Sequence, residues 1–344
     1  MKLPALLVSD LHLTDAAADN YRWDVFRQVR DACQHNNVKT VCILGDTTDA
    51  KDYHSATLVN RLANEIARLA GMVREVVVLM GNHDYLKEGE PYLNFLNHMP
   101  GVRYVSSIYS DEDPDGRAVL WLPHTRNPVD TWGNLHSVDW YDVVFMHQTV
   151  DGSKANATQT MHGDGTNVVL NRWLQGGLPM LWSGDIHVPQ TINIGRSAEL
   201  NYVGSPYHVH FGDAFVPRGA VLIKQNMQCV DMPMQFPSRV SATLHGIKDL
   251  RRVNVQPNDQ VKLKVCLTQA EAEAWPRTRA ACLRWADENE VLLASLQLTL
   301  DTSTRRRLSS APGGARSPQE ALLRYIDAED LGAAAHLAAL EIME

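Results

Sequence analysis

Val76-Val77-Val78-Leu79-Met80-Gly81-Asn82-His83-Asp84 is the stretch whose reading decides the fold of this chain. It opens as a run of β-branched and apolar residues, the pattern of a strand buried on both faces. It then breaks at a glycine and presents an amide, an imidazole and a carboxylate in succession. A buried strand that ends this way delivers chemistry to the edge of a sheet, where open α/β sheets hold their ligands. The pattern recurs in Leu6-Leu7-Val8-Ser9-Asp10-Leu11-His12 and in Val41-Cys42-Ile43-Leu44-Gly45-Asp46. It returns in Val143-Val144-Phe145-Met146-His147 and in Met180-Leu181-Trp182-Ser183-Gly184-Asp185-Ile186-His187. Each apolar run stops at residues able to ligate a metal.

Helical spacing fills the gaps between these runs. Residues 21–36 carry Trp23, Phe26, Val29, Ala32 and Cys33 on one face. Residues 55–71 do the same with Leu58, Leu62, Ile66 and Leu69, with Ser55 placed to cap the helix and Gly71 to stop it. A short helix opening on proline is predicted over 91–97. This alternation predicts an α/β fold over residues 1–228, a layered sandwich of mixed sheets flanked by helices. Turn residues between 193 and 224 predict antiparallel strands there.

Pro233, Pro237 and Pro257 then punctuate a connecting stretch. A strand over 261–267, a helix over 269–288 and a strand over 291–300 make a small α/β unit within 229–301. Residues 302–317 hold Arg305, Arg306, Arg307 and Arg316 among Ser, Pro and Gly, which predicts a basic linker. The segment 318–344 follows a Ser317-Pro318-Gln319-Glu320 helix start and carries Leu322, Tyr325, Ile326, Leu337, Leu340 and Ile342, predicting a terminal helix.

At 344 residues the chain has room for one large domain and a smaller one. Its 44% hydrophobic and 21% charged residues exclude the disordered and membrane classes. The apolar run before Asp10 and His12 is too short for a signal peptide, and no stretch is long enough to span a bilayer, so a cytoplasmic location is predicted. Five cysteines without a CxxC pair predict buried thiols in a reducing compartment. The net charge of −8 excludes an all-over basic nucleic-acid coat but leaves room for a local basic groove.

Divalent metals that hydrolyse phosphate esters take carboxylate, imidazole, amide oxygen and water as ligands. Two such ions about 3.5–4 Å apart can share one carboxylate and hold the phosphate during in-line attack. Asp10 and His12 offer two ligands from one strand end, and Asp46 is the natural shared carboxylate. Asn82 offers an amide oxygen, while His147 and His187 offer imidazoles.

In order, these blocks resemble the motifs of the calcineurin-like metallophosphoesterase superfamily: DxH, GD, GNHD, H and GHxH. The resemblance implies that Asp10, His12, Asp46 and His187 ligate one metal, and that Asp46, Asn82, His147 and Asp185 ligate the second. It implies His83 as general acid, with Asp84 orienting its ring. The chain departs from the pattern at Asp185, where the family has histidine. A carboxylate there favours a harder ion, Mn²⁺ or Mg²⁺, over Zn²⁺, or weakens the second site.

Three further features narrow the resemblance. Gly204-Ser205-Pro206, Phe211 and Arg218-Gly219 look like the GSP…F…(K/R)G stretch of SbcD-type DNA exonucleases, the bacterial and phage relatives of the eukaryotic meiotic recombination nuclease. Asp46-Thr47-Thr48-Asp49 is similar to that family's second motif, with Asp49 matching a residue near the substrate. The architecture and length suit a phage-sized member. The resemblance implies a Mn²⁺-dependent 3′→5′ double-strand exonuclease with single-strand endonuclease activity, acting in DNA repair and recombination. It further implies a homodimer, a capping unit at 229–301 that shapes a DNA channel, and docking of the terminal helix on an SbcC-type coiled-coil ATPase. A small-molecule phosphodiesterase or phosphatase of the same superfamily is the competing reading. Outside the motifs, His54 is placed to line the substrate path, and His208 and His210 share one face of a predicted strand.

Overall fold

The apolar runs do become strands, and they lie side by side. In the computed structural model, β1 (Ala5–Val8), β2 (Thr40–Leu44), β3 (Glu75–Leu79) and β4 (Val102–Val105) run parallel in one sheet. Residues 1–300 are described apart from 88, 134, 136–139, 157–158, 163–164, 167–169, 171–178, 195–197 and 214–215. The predicted linker at 302–317 and terminal helix at 318–344 therefore lie outside the described residues.

Helix α1 (Asp24–Asn36) joins β1 to β2, and α2 (Ala56–Ala70) joins β2 to β3. Ser55 caps α2 as its position suggests, its side chain accepting from the Leu58 amide at 3.1 Å. A second sheet holds β5 (Tyr109–Glu112), β6 (Ala118–Leu122), β7 (Val143–His147), β8 (Met180–Gly184), β9 (Gln190–Ile194) and β10 (Ala198–Tyr202). Its order is β5-β6-β7-β8-β10-β9, and the short helix α3 (Pro128–Trp132) lies between β6 and β7. The chain then returns to the first sheet. There β11 (Gly219–Ile223) pairs antiparallel with β1, and β12 (Cys229–Pro233) pairs antiparallel with β11.

The two sheets pack face to face. Leu7, Cys42, Leu44, Val77 and Leu79 of the first meet Trp121, Val143, Phe145 and Trp182 of the second. The alternate residues of the first sheet, Leu6, Val41, Ile43, Val76 and Val78, pack outward against Phe26, Val29, Leu62 and Ile66 of the helices. Both faces are covered, which is why these strands read as unbroken apolar runs.

A third sheet of parallel strands follows: β13 (Arg239–Leu244), β14 (Gln260–Leu267) and β15 (Leu292–Leu300). Helices α4 (Gln269–Ala272) and α5 (Trp275–Glu288) connect the last two strands. Val261, Leu263, Val265 and Cys282 form a separate core there.

Several expectations are refined. The helix over 21–36 begins as a 3₁₀ turn, Ala17–Trp23, and becomes α-helical only at Asp24. The helix over 91–97 is a 3₁₀ turn at Asn94–His98. The stretch 269–288 breaks between α4 and α5, where Pro276 opens the second helix. The strands predicted antiparallel between 193 and 224 are mixed: β9 and β10 pair antiparallel, but β10 runs parallel to β8. The first sheet extends past residue 228, because β12 continues it to Pro233. All five cysteines are free thiols; Cys33, Cys42 and Cys282 are buried as expected, but Cys266 is half-buried and Cys229 is exposed at the sheet edge. Among the described residues no helix is long and apolar enough to cross a membrane.

A candidate dimetal centre

Strand ends β1, β2, β3, β7 and β8 all deliver their polar residues to one edge of the sandwich. The backbone there is bent to aim side chains inward. Asp10 (φ 54°), His12 (φ 39°), Asp46 (φ 50°) and Asp185 (φ 84°) all occupy the left-handed region. For a residue with a Cβ this costs on the order of 1–3 kcal/mol, and such strain gathers at functional sites. The first two loops travel together: the Asp10 amide donates to the Gly45 carbonyl at 3.1 Å and the His12 amide to the Asp46 carbonyl at 2.9 Å.

The predicted ligands meet. Ligand atoms of Asp10, His12 and His187 lie within 4.8 Å of one another, as do those of Asp10, Asp46 and His147, and those of His12, Asp46 and His83. Asp46 stands at the centre, its Oδ2 3.4 Å from His12 Nε2 and its Oδ1 3.3 Å from His147 Nε2. His12 Nε2 and His187 Nε2 approach to 3.1 Å. Asn82 lies between Gly81, which packs on Asp46, and His83, whose amide donates to Asp46 Oδ1 at 2.8 Å. Asp185 is drawn in by its own amide, which donates to Asp10 Oδ1 at 3.0 Å. Its Oδ1 is 3.8 Å from His147 Nε2, and its Oδ2 accepts from the Thr149 hydroxyl.

The ring nitrogens of His147 and His12 that face away from this centre are tied down. His147 Nδ1 donates to the Leu44 carbonyl at 2.7 Å, and His12 Nδ1 bonds to Asp49 Oδ1 at 3.0 Å. His187 Nδ1 faces Asp213 Oδ1 at 3.8 Å, an ion-pair contact rather than a hydrogen bond. This is the outer support that fixes metal-ligating imidazoles with their second nitrogen free.

One role assigned from the resemblance is corrected. Asp84 does not orient the His83 ring. It is buried, and its carboxylate accepts from the backbone amides of Gly81 (2.7 Å), Asp46 (3.0 Å) and Thr47 (3.2 Å), which leaves it a scaffold for the β2 and β3 loops. The ring is held instead by Asp49, whose carbonyl accepts from His83 Nδ1 at 2.5 Å. Asp49, matched by resemblance to a residue near the substrate, thus spends its carboxylate on His12 and its carbonyl on His83. A residue that reaches back through both groups leaves no trace in a sequence pattern. The motifs do not mark Thr149, Asp213 and Arg218 as site residues, because the residues they hold, Asp185 and His187, are distant in sequence.

The remaining histidines sort by position. His54 Nε2 bonds to Thr48 Oγ1 at 2.7 Å, beside the second block. His208 is buried, and its Nδ1 accepts from the Arg239 amide at 3.3 Å. His210 is exposed, with its ring centroid 5.3 Å from that of His187. Residues 208–210 lie in a loop, not the strand expected.

The electrostatics ask for positive charge. Asp10, Asp46 and Asp185 are brought together largely out of water, and burial of an uncompensated carboxylate is costly. Burial works to raise the Asp46 pKa, but His147 and His12 carry it far below the usual carboxylate range. Burial works to lower the pKa of His147, and Asp46 overrides it and raises it. The acids draw a proton onto an imidazole in the absence of anything else to draw.

The family profile described as calcineurin-like phosphoesterase matches residues 3–189. The chain belongs to that family. Comparison with curated proteins gives no match. Among solved structures, this calcineurin-like phosphoesterase is similar to a dimetal phosphatase from Danio rerio, at 12% identity over 64% of this chain and 92% of that one, with a TM-score of 0.43. It is similar to GAP50, the anchor in the inner membrane complex of Plasmodium, at 9% identity over 69% and 90% of the two chains, with a TM-score of 0.44. It is also similar to a 5′-nucleotidase from Candida albicans, at 14% identity over 58% of this chain and 45% of that one, with a TM-score of 0.35. Identities this low speak to neither substrate nor mechanism.

The calcineurin-like fold binds two divalent metals, and the residues present fit them. Asp10 Oδ2, Asn82 Oδ1 and His147 Nε2 are buried with no hydrogen-bond partner. Buried polar atoms are rarely left so, and three at one centre mark atoms reserved for another ligand.

A neighbour of the centre gives a test in the metal-free protein. His124 bonds through Nδ1 to the Tyr85 hydroxyl at 2.8 Å, and its ring lies 6.1 Å from that of His147. Burial, with His147 beside it, pushes its pKa down to about 3. The unfolded chain protonates this histidine near pH 6.5 and the folded chain only near 3, so stability falls as pH drops through that window. The expected slope is about 1.4 kcal/mol per pH unit, the linkage for one proton. Urea unfolding in EDTA at pH 7 and pH 5 should show a smaller loss in His124→Phe than in the wild type. Equal losses would refute this account.

Proposed function

We propose that this chain is a two-metal phosphodiester hydrolase acting on DNA, a 3′→5′ double-strand exonuclease and single-strand endonuclease that works as a homodimer with an SbcC-type coiled-coil ATPase. The observation that carries the hydrolase reading is the set of three buried side-chain atoms without a hydrogen bond, Asp10 Oδ2, Asn82 Oδ1 and His147 Nε2. Asp10, His12, Asp46 and His187 would hold one ion, and Asp46, Asn82, His147 and Asp185 the other. The carboxylate at 185 favours Mn²⁺ or Mg²⁺. When bound, the ions supply an activated water and neutralise charge on the phosphate.

This chain's own residues do the rest. His83 is fixed through Nδ1 on the Asp49 carbonyl, so the proton it can give rides on Nε2. Burial lowers the pKa of its ring, against the pull of Asp46. A proton on Nε2 is then more readily released to a leaving oxygen. Asp49 and Asp84 hold His83 and the loops around it, and neither needs to touch substrate.

A polymeric substrate is favoured by the third sheet. The face that the described residues leave open carries Ser241, Lys262 and Ser295 in one cross-strand row, and Thr243, Lys264 and Gln297 in the next. These are donors suited to phosphate, with no carboxylate among them. Lys262 Nζ lies 4.2 Å from the centroid of the Phe211 ring, two residues from Asp213 at the metal centre. Arg239 ties this sheet to the centre's flank by donating to the Val209 carbonyl and pairing with Asp19.

The test is degradation of end-labelled duplex and single-stranded DNA with Mn²⁺ or Mg²⁺, with and without the ATPase. Shortening of duplex from its 3′ ends is expected, and His83→Ala should lower kcat by about 10²–10⁴-fold while Mn²⁺ uptake is unchanged. Turnover of a cyclic or mononucleotide ester with no response to DNA length would replace this reading with the small-molecule one.

A further inference from the structure

The family match ends at residue 189, yet the centre does not. His187 is the most lightly tethered of its histidines: β8 ends at Gly184, and its ring nitrogen has no carbonyl or close carboxylate to bond. What holds it comes from residues 205–218. The His187 carbonyl accepts from the Ser205 amide at 3.1 Å and from Arg218 Nη1 at 2.5 Å. Arg218 is buried, and its Nη2 is 3.8 Å from Asp213 Oδ2. Asp213 is buried too. Its Oδ2 accepts from the amides of Val209 (2.8 Å) and His210 (3.3 Å), which leaves Oδ1 directed at the His187 ring.

One guanidinium therefore fixes the backbone of His187 and also neutralises the carboxylate that faces its ring. A buried arginine and aspartate would be an expensive ornament if they only packed a loop. We propose that Asp213 and Arg218 are positioning residues for His187, and that they set the affinity of the metal position formed by Asp10, His12 and His187 while leaving the position at His147 untouched. This rests on the two-metal reading above. Neither residue touches metal or substrate. Asp213 makes the imidazole a better ligand by facing the nitrogen opposite the one that binds, and Arg218 keeps ring and carboxylate in register. Outer-shell partners of this kind are worth about 10–100-fold in metal affinity.

The experiment is calorimetric titration of the full chain with Mn²⁺. The wild type should take up two ions. Asp213→Asn keeps an oxygen for the Val209 and His210 amides but loses the charge, so one site should weaken about 10–100-fold and the other stay unchanged. Arg218→Gln should weaken the same site, and Asp213→Glu should recover part of the loss. The unchanged second site shows that the variants are folded. Two sites of wild-type affinity in Asp213→Asn, or equal weakening of both, would overturn the proposal while leaving the two-metal reading standing. No Mn²⁺ uptake by the wild type would overturn both.

Discussion

Asp46→Asn should remove turnover altogether in practice, with kcat falling by about 10³-fold or more. The substitution is nearly isosteric, and the side-chain oxygen can still accept from the His83 amide, so the loops around it keep their shape. The loss is one of charge. Asp46 is the carboxylate whose two oxygens reach His12 and His147, at 3.4 Å and 3.3 Å, one in each proposed ligand set. A metal's charge stabilisation of a phosphoryl oxygen is worth several kcal/mol, and each 1.36 kcal/mol is about tenfold in rate. The check is hydrolysis of a chromogenic phosphodiester at saturating Mn²⁺, beside thermal melting to show that the fold persists. A variant that keeps a tenth of wild-type activity would mean that Asp46 does not bridge.

Gly45→Ala should be strongly destabilising. Gly45 sits at φ +88°, where a Cβ is strained, and a Cβ there would land inside the His147 ring. The ring has little room to retreat, because its Nδ1 is held by the Leu44 carbonyl and the Gly184 backbone packs close against it. Overpacking of this kind costs about 1–3 kcal/mol, and the left-handed backbone adds about 1 more. A drop of roughly 10 °C in Tm is expected at about 2–4 °C per kcal/mol. Differential scanning calorimetry in EDTA checks it without metal. An unchanged Tm would show that His147 is not confined as described.

The sequence made the centre of this molecule legible for a physical reason. Strands buried on both faces must be apolar throughout, so the polar residue that ends each one stands out. Asp10, Asp46, Asn82, His147 and His187 were readable from that contrast alone. The glycines before Asp46, Asn82 and Asp185 were readable too, although only the packing against His147, Asp46 and Leu44 explains them. What stayed hidden lacks this contrast. The strand Val102–Val105 is four residues long and carries an arginine, and Tyr109–Glu112 is a polar edge strand with no apolar face. Edge strands answer to their neighbours more than to their own composition. Asp49 and Asp213 were visible as residues, but their roles depend on which ring lies across from them. That is information carried by the fold, and a linear pattern does not contain it.

The centre also straddles a seam. Asp10, His12, Asp46 and Asn82 come from the first sheet, while His147, Asp185 and His187 come from the second. An ion gripped from both layers acts as a clasp between them, and it favours the closed sandwich by RT ln(1 + [M]/Kd), about 2.7 kcal/mol at a hundredfold excess over Kd. Chelation should therefore loosen the whole molecule as well as silence it, and a cell starved of the ion would hold a protein more easily cleared by proteases.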